Sequence, residues 1–434
     1  MGEVPTSRPI GFWGIWALTV GAMVGSGIFL LPAVLAPFGV YALAGWLVTG
    51  AGAMCIAVVI GKLAVRSPRS GGPAVFVKDA FGRFAGFMAG WSLWVSFVIA
   101  VPAIAMAFVG YAGSLYPDLS NNNFAQMAVG LVVIWSLTFI ALKGVKEAAL
   151  ATIVLTMLKL LPLIFVIGLA IVVGSPKELL ALDVPETSFF PSLAATALLT
   201  MWAFLGLEAG VVSTDAVADP QRTLPRAVSL GVLTVMSIYV LITLATMVLV
   251  PQNILMNSEA PLVDATRSLG RAGFTIVAVG ALVSTAGALL AALFVIGHLA
   301  FGMAQDGIAP QFFARQRPGG APAAALVVGA SIGSVLVLLN ATEGLLGAFT
   351  FLLMMSTATA LLPYFLCALA ELKHSWGSSR GWITLAFVSA MYSFFALVGS
   401  GFVVLMWGGI LLCAGIPVYW LADREQKVMA IAHE

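Results

Sequence analysis

Two short stretches hold the residues whose types and spacing can do chemistry. "VGAMVGSGIFLLP" (Val20 to Pro32) crowds Gly21, Gly25, Ser26 and Gly27 into the middle of an apolar run and follows them with Pro32. "LLTMWAFLGLEAGVV" (Leu198 to Val212) puts Gly206 and Gly210 in a second run, with Glu208 between them. Glycines at such places serve one of two ends: they let neighbouring helices pack closely, or they let the backbone leave the helix. In hydrocarbon a bare N–H or C=O is costly, so uncoiled backbone survives only where it faces a cavity or a ligand. The N-terminus of a half-helix offers N–H donors and partial positive charge to a carboxylate. The C-terminal end of a facing half-helix offers carbonyls to an ammonium group. Paired breaks would therefore grip a zwitterion without using a charged side chain.

Few side chains in the apolar runs can titrate. Lys159 sits in "LTMLKLLPLIF", and Glu208 is the one acid placed deep in a span. Charges at that depth are expensive and mark functional sites. Lys159 either exchanges a proton as substrate moves or is a fixed cation paired with helix-end carbonyls. Glu208 either serves a gate or proton path or holds a bend through a carboxyl hydrogen bond. Trp202, four residues before Gly206, is a substrate contact or core packing. His298 reads as a hydrogen-bonded interior group, and Lys78, Asp79 and Arg83 as a solvated amphipathic face.

The elements that must position these residues follow from composition. Of 434 residues, 61% are hydrophobic and 9% charged, against about 25% charged in soluble domains. This is a membrane protein. Apolar runs predict spans near 11–36, 40–64, 84–115, 124–142, 147–174, 190–214, 226–250, 273–304, 322–339, 344–370, 381–398 and 400–422. No cleaved signal peptide is expected. Of the 20 Lys and Arg, Lys177, Arg267 and Arg271 fall on one side, Lys159 lies in a span, and the remaining sixteen share the other side. The positive-inside rule then places both termini in the cytoplasm. Gly25 and Gly206 are 181 residues apart, in spans that run in opposite directions. This is the pattern of an inverted five-helix repeat.

These residues also carry a resemblance. "GAMVGSGIFLLPAVLAPFG" and "MWAFLGLEAG", with the loops "SPRSGG", "DPQRTLPRA" and "MAQDGIAPQFFAR", resemble the amino acid–polyamine–organocation transporter superfamily over roughly residues 11 to 422. Within it the chain looks most like the basic amino acid/polyamine antiporters of the arginine/agmatine type. The resemblance implies an all-α membrane fold of about 12 transmembrane helices. Its core is an inverted 5+5 repeat with broken first and sixth helices, followed by two C-terminal helices. It gives one transporter domain over 1–422 (repeat one about 11–175, repeat two about 190–370, extra helices about 381–422) and a short cytoplasmic tail, 423–434. It implies alternating access, with Gly25, Ser26 and Gly27 holding the substrate carboxylate and the backbone near Trp202, Ala203 and Leu205 its amino group. Trp202 would be a lid, and Glu208 and Tyr364 gate residues. Lys159 resembles the fifth-helix lysine of proton-coupled members.

The sequence departs from the arginine/agmatine pattern where a cationic side chain would sit. Ala292 stands in place of a stacking tryptophan and Val101 in place of a pocket asparagine, which removes cation–π and polar partners. Met23, Phe97, Val101, Phe204 and Ala292, completed by Ser96 and Ser356, would suit an apolar or small neutral amino acid. The expected function is a secondary carrier of amino acids or related amines in the cell inner membrane, as exchanger or proton-coupled carrier. An arginine/agmatine-type exchanger is the alternative. No cofactor, metal or nucleic acid is expected: Cys55, Cys367 and Cys413 are scattered, no HExxH cluster or Walker motif is present, and the net charge is +2. A membrane enzyme and a non-transporting sensor are the competing classes. Partners are the substrate, protons and the bilayer; some relatives dimerise, so a homodimer stays open.

Overall fold

The computed structural model describes residues 11–67, 71–143, 149–175, 177–178, 182, 188–208, 217, 219–317, 322–339, 344–377 and 379–433. Gly210, and Arg8, Arg69 and Lys146 among the sixteen cations placed on the cytoplasmic side, lie outside them. The described chain is built of helices. The first expected span is two of them, α1 (Phe12–Met23) and α2 (Gly27–Leu35), meeting at a 48° bend. Then come α3 (Tyr41–Arg66), α4 (Pro73–Phe81), α5 (Arg83–Leu115), α6 (Asn123–Leu142), α7 (Ala149–Val173) and α8 (Phe189–Met201). After α8 the chain makes a single 3-10 turn, Trp202–Phe204. The second half holds α9 (Pro220–Leu249), α10 (Gly270–Gln305), α11 (Ala323–Leu339), α12 (Leu345–Ser375), α13 (Arg380–Val398), α14 (Gly401–Cys413) and α15 (Gly415–His433). Among the described residues, eight helices are long and apolar enough to cross a bilayer, the bent pair α1 and α2 makes a ninth, and three shorter apolar helices complete the set.

Small residues set the packing, as expected where lipid removes the hydrophobic drive between helices. The most enclosed long helix is α5. Its Ser92 hydroxyl donates to the Thr359 carbonyl on α12 at 2.6 Å, and its Trp94 indole donates to the Ile296 carbonyl on α10 at 3.2 Å. Tyr111 of α5 donates to the Phe29 carbonyl on α2 at 2.7 Å and accepts from the Leu262 N–H at 3.4 Å. The segment between α9 and α10 thus rests on α2. Further along α2, Gln252 donates to the Ala36 carbonyl at 2.8 Å.

Two expectations change, at Glu371 and His298. Lys78, Asp79 and Arg83 keep a partly exposed face whose groups are paired: Lys78 with Asp306 at 2.9 Å, Arg83 donating to the Gly307 carbonyl at 2.9 Å, and Asp79 accepting from Ser67 at 2.7 Å. The loop after α10 supplies acceptors that the sequence of α4 alone does not reveal. Glu371, expected in a loop, is fully buried because α12 continues to Ser375. His298 lies on the exposed flank of α10, stacked on Phe294 at 3.7 Å with Nδ1 2.9 Å from the Phe294 carbonyl, and is not interior. The expected tail is helical through His433, and Glu425 accepts from the Gln311 N–H at 2.8 Å.

Packing of α3 gives a direct check. A Cβ at Gly52 would strike the Tyr392 ring of α13, whereas one at Gly61 meets nothing within 4 Å. Gly52→Ala should lower stability by about 1–3 kcal/mol through overpacking. Gly61→Ala should be neutral or add up to about 1 kcal/mol from helix propensity. Thermal unfolding of the purified variants in detergent reads both.

Candidate functional site

The two breaks face each other. In the first, Val24 turns extended (φ −73°, ψ 94°), and the Val24 N–H makes the last bond of α1, to Val20 at 2.8 Å. The carbonyls of Gly21, Ala22 and Met23 are then without their usual partners three to four residues on. Among the described residues, the Gly25 and Ser26 N–H groups meet no backbone carbonyl, and those opening α2 are free for the reason any helix start is. In the second break, Leu205 is extended (φ −61°, ψ 138°) and Gly206 takes φ +96°. Only glycine adopts that conformation without strain. A Cβ at Gly206 would also sit 3.1 Å from the Ala22 carbonyl oxygen, so the two breaks are in contact.

Side chains from three other elements complete the junction. Tyr239 of α9, fully buried, donates to the Met23 carbonyl at 2.7 Å and shares the same hydrogen with the Ala203 carbonyl at 3.1 Å. One phenol thus caps both broken helices. Lys159 of α7 donates to the Gly21 carbonyl at 3.3 Å and leaves its Nζ 3.6 Å from where a Gly287 Cβ would lie on α10. One turn earlier on that face, the Ser284 hydroxyl is buried and has no hydrogen-bond partner among the described residues. Tyr364 of α12 donates to Glu208 Oε2 at 2.7 Å. Among the described residues, the other carboxylate oxygen, Oε1, is buried with no hydrogen-bond partner.

Each site residue expected from sequence has a definite place. Gly27 lies directly under Trp202, since a Cβ there would be 2.6 Å from the indole Cδ1, and Trp202 is 6% exposed. Gly25 faces Ala288 of α10, 3.1 Å from its ideal Cβ, and Ala292 is one turn farther along the same helix. Ser26 is buried and its carbonyl accepts from Phe29 at 3.2 Å. Leu205 donates to the Trp202 carbonyl at 3.2 Å, and Phe97 is partly buried on α5. Four side chains are engaged with other side chains or helices. Phe204 joins an aromatic group with Trp46 (6.1 Å) and Tyr239 (5.7 Å). Val101 packs on Gly333 of α11. Ser96 and Ser356 bond each other: Ser356 donates to the Ser96 carbonyl at 2.7 Å and the hydroxyls are 3.1 Å apart. Sequence reasoning missed Tyr239 and Ser284; a lone hydroxyl residue in an apolar run is the only signal they give.

What this geometry can do is bind: it presents free N–H donors at one helix start, carbonyls at two helix ends, and an indole across them. Among the described residues, no cluster of three metal-ligating side chains occurs. Known proteins resemble the chain in sequence. The amino acid permease family profile matches residues 10–417. The putrescine transporter PotE of Escherichia coli K12 is 31% identical over 96% of this chain and 97% of its own length. An arginine/ornithine antiporter of Pseudomonas aeruginosa is 27% identical over 97% of this chain and 92% of its own, and one of Latilactobacillus sakei is 28% identical over 98% and 92%. A bent first span, a broken stretch after α8 and a family match along almost the whole chain lead to one placement: this chain belongs to the amino acid permease family of the amino acid–polyamine–organocation superfamily.

Proposed function

We propose that this membrane protein is a secondary carrier of amino acids or related amines, and that the paired breaks are its substrate site. The observation that carries the reading is the contact between them: Gly206 lies against Ala22, Gly27 under Trp202, and Tyr239 caps both. A substrate carboxylate would take the N–H groups of Gly25, Ser26 and Gly27 at the start of α2. The ammonium would take carbonyls near Trp202, Ala203 and Leu205. Met23, Phe97, Ala292 and the neighbouring Ser96, Val101, Phe204 and Ser356 shape the surroundings, directly or by packing behind them. Trp202 covers the site, and the Glu208–Tyr364 bond gates it from the α12 side. The two repeats, about 11–175 and 190–370, would rock about this point, with 381–422 outside the repeats and both termini in the cytoplasm of the inner membrane. No catalytic role is assigned to any residue.

Ala292 and Val101 offer no polar or cation–π partner, which favours a small neutral or apolar amino acid. Two observations favour a second reading, a basic amino acid or polyamine exchanger. The relatives are named for putrescine, arginine and ornithine, and among the described residues one buried oxygen of Glu208 has no hydrogen-bond partner and could face a cation. Uptake and exchange by purified protein in liposomes, screened against the amino acids and common polyamines, decides between them. Saturable counterflow of any of these is the expected result. Unsaturable current, or no counterflow with any of them, would overturn the carrier reading.

Two variants test the site. Tyr239→Phe removes the hydrogen shared by two buried carbonyls, at a cost of about 1–3 kcal/mol. Transport should fall by about tenfold or more while far-UV circular dichroism stays unchanged; a normal rate would separate Tyr239 from the site. Lys159 as an ammonium ties α7 to the Gly21 carbonyl, so its protonation can be coupled to the position of α1. In Lys159→Ala, exchange should persist but lose its dependence on an imposed pH gradient. Unaltered pH dependence would leave Lys159 a structural cation.

A further inference from the structure

Outside this site the chain buries a second carboxylate, and it is fully partnered. Glu371 on α12 has no exposure. Lys62 Nζ is 2.6 Å from its Oε1, Ser375 donates to the same oxygen at 2.5 Å, and Arg66 is 3.2 Å from Oε2. Lys62 also lies 3.7 Å over the Trp382 ring, so the ends of α3, α12 and α13 meet at one point. A carboxylate taken from water holds its charge only when paired and hydrogen-bonded, and losing a partner strands the charge. The cluster therefore opposes separation of these three helix ends.

Its position connects it to the broken sixth span from both sides. Glu371 follows Tyr364 by two turns on one face of α12, with Cys367 fully buried between them, and Tyr364 holds Glu208. Lys62 and Arg66 close α3. In the other half of that helix, Thr49 and Thr200 have hydroxyls 2.7 Å apart, one residue before α8 ends. Inverted symmetry relates this meeting of the second and tenth spans to that of the seventh and fifth at the opposite face. There the contact is neutral: the Ser175 N–H donates to the Val248 carbonyl at 3.2 Å and Gly174 packs on Val248. Among the described residues, the ion pair on that face, Arg267 with Asp264, lies within one segment and joins no spans.

We infer that Lys62, Arg66 and Glu371 form an ionic lock on the cytoplasmic ends of the second and tenth spans. With no counterpart among the described residues of the outer face, it biases the resting carrier toward closure on the cytoplasmic side. The inference rests on the carrier and orientation readings above, and its test needs no substrate, so its failure and the failure of the transport assay are told apart. Native Cys367 is the reporter, in a background with Cys55→Ser and Cys413→Ser. A membrane-impermeant maleimide is applied to oriented vesicles from either side. In Glu371→Gln, labelling from the cytoplasmic side should accelerate about tenfold, with labelling from outside unchanged. Arg66→Met, at a side chain 35% exposed, should give a smaller acceleration, and the swap Lys62→Glu with Glu371→Lys should restore slow labelling. Unchanged labelling with a lowered unfolding temperature would make the cluster a structural staple and overturn the lock, as would equal acceleration from both sides or acceleration from outside alone.

Discussion

A carbonyl with no hydrogen to accept is the constraint on which this molecule turns. Breaking a helix in hydrocarbon releases several such groups at once, and each must be met again. Here Gly21 is met by Lys159, and Met23 and Ala203 by the single proton of Tyr239. The donors come from α7 and α9, helices that do not themselves break. The first and sixth spans can stay uncoiled because rigid neighbours hold their loose ends. Among the described residues, the Gly25 and Ser26 N–H groups just before α2 meet no backbone carbonyl.

Two glycines make the junction physically admissible. Gly206 supplies a backbone angle closed to other residues and lets a carbonyl approach to within contact. Gly27 leaves room for an indole to lie on the first turn of α2. Polar side chains elsewhere do quieter work. The Ser96–Ser356, Ser92–Thr359 and Thr49–Thr200 bonds zip helices together, each of modest strength in a membrane, about 0.6 kcal/mol. They hold the frame against which the breaks are positioned.

How much of this the sequence disclosed depends on whether a residue's signal is local. Glycine clusters and a lysine inside apolar runs are local violations of membrane rules, so the breaks and Lys159 could be read from the chain alone, and the bent α1–α2 pair lies where "GSG" placed it. Tyr239 violates nothing; a tyrosine among aliphatic residues looks like core, and its role exists only once Met23 and Ala203 converge on it. Glu371 sits in the polar run "ELKHS", which reads as a loop, and its partners Lys62 and Arg66 are some three hundred residues away in sequence. The side chains of Phe204 and Val101 are on the expected helices, but facing direction on an almost wholly apolar helix leaves no amphipathic trace. Their neighbours, Trp46 and Gly333, had to be seen.

Trp202 resting on Gly27 has a kinetic side. The indole fills the space beside the first turn of α2, so under the proposed binding mode any ligand there would have to displace it against an effective concentration fixed by covalent attachment. It would act as a tethered competitor that lowers the affinity of every cargo alike, keeping grip loose and hand-off quick.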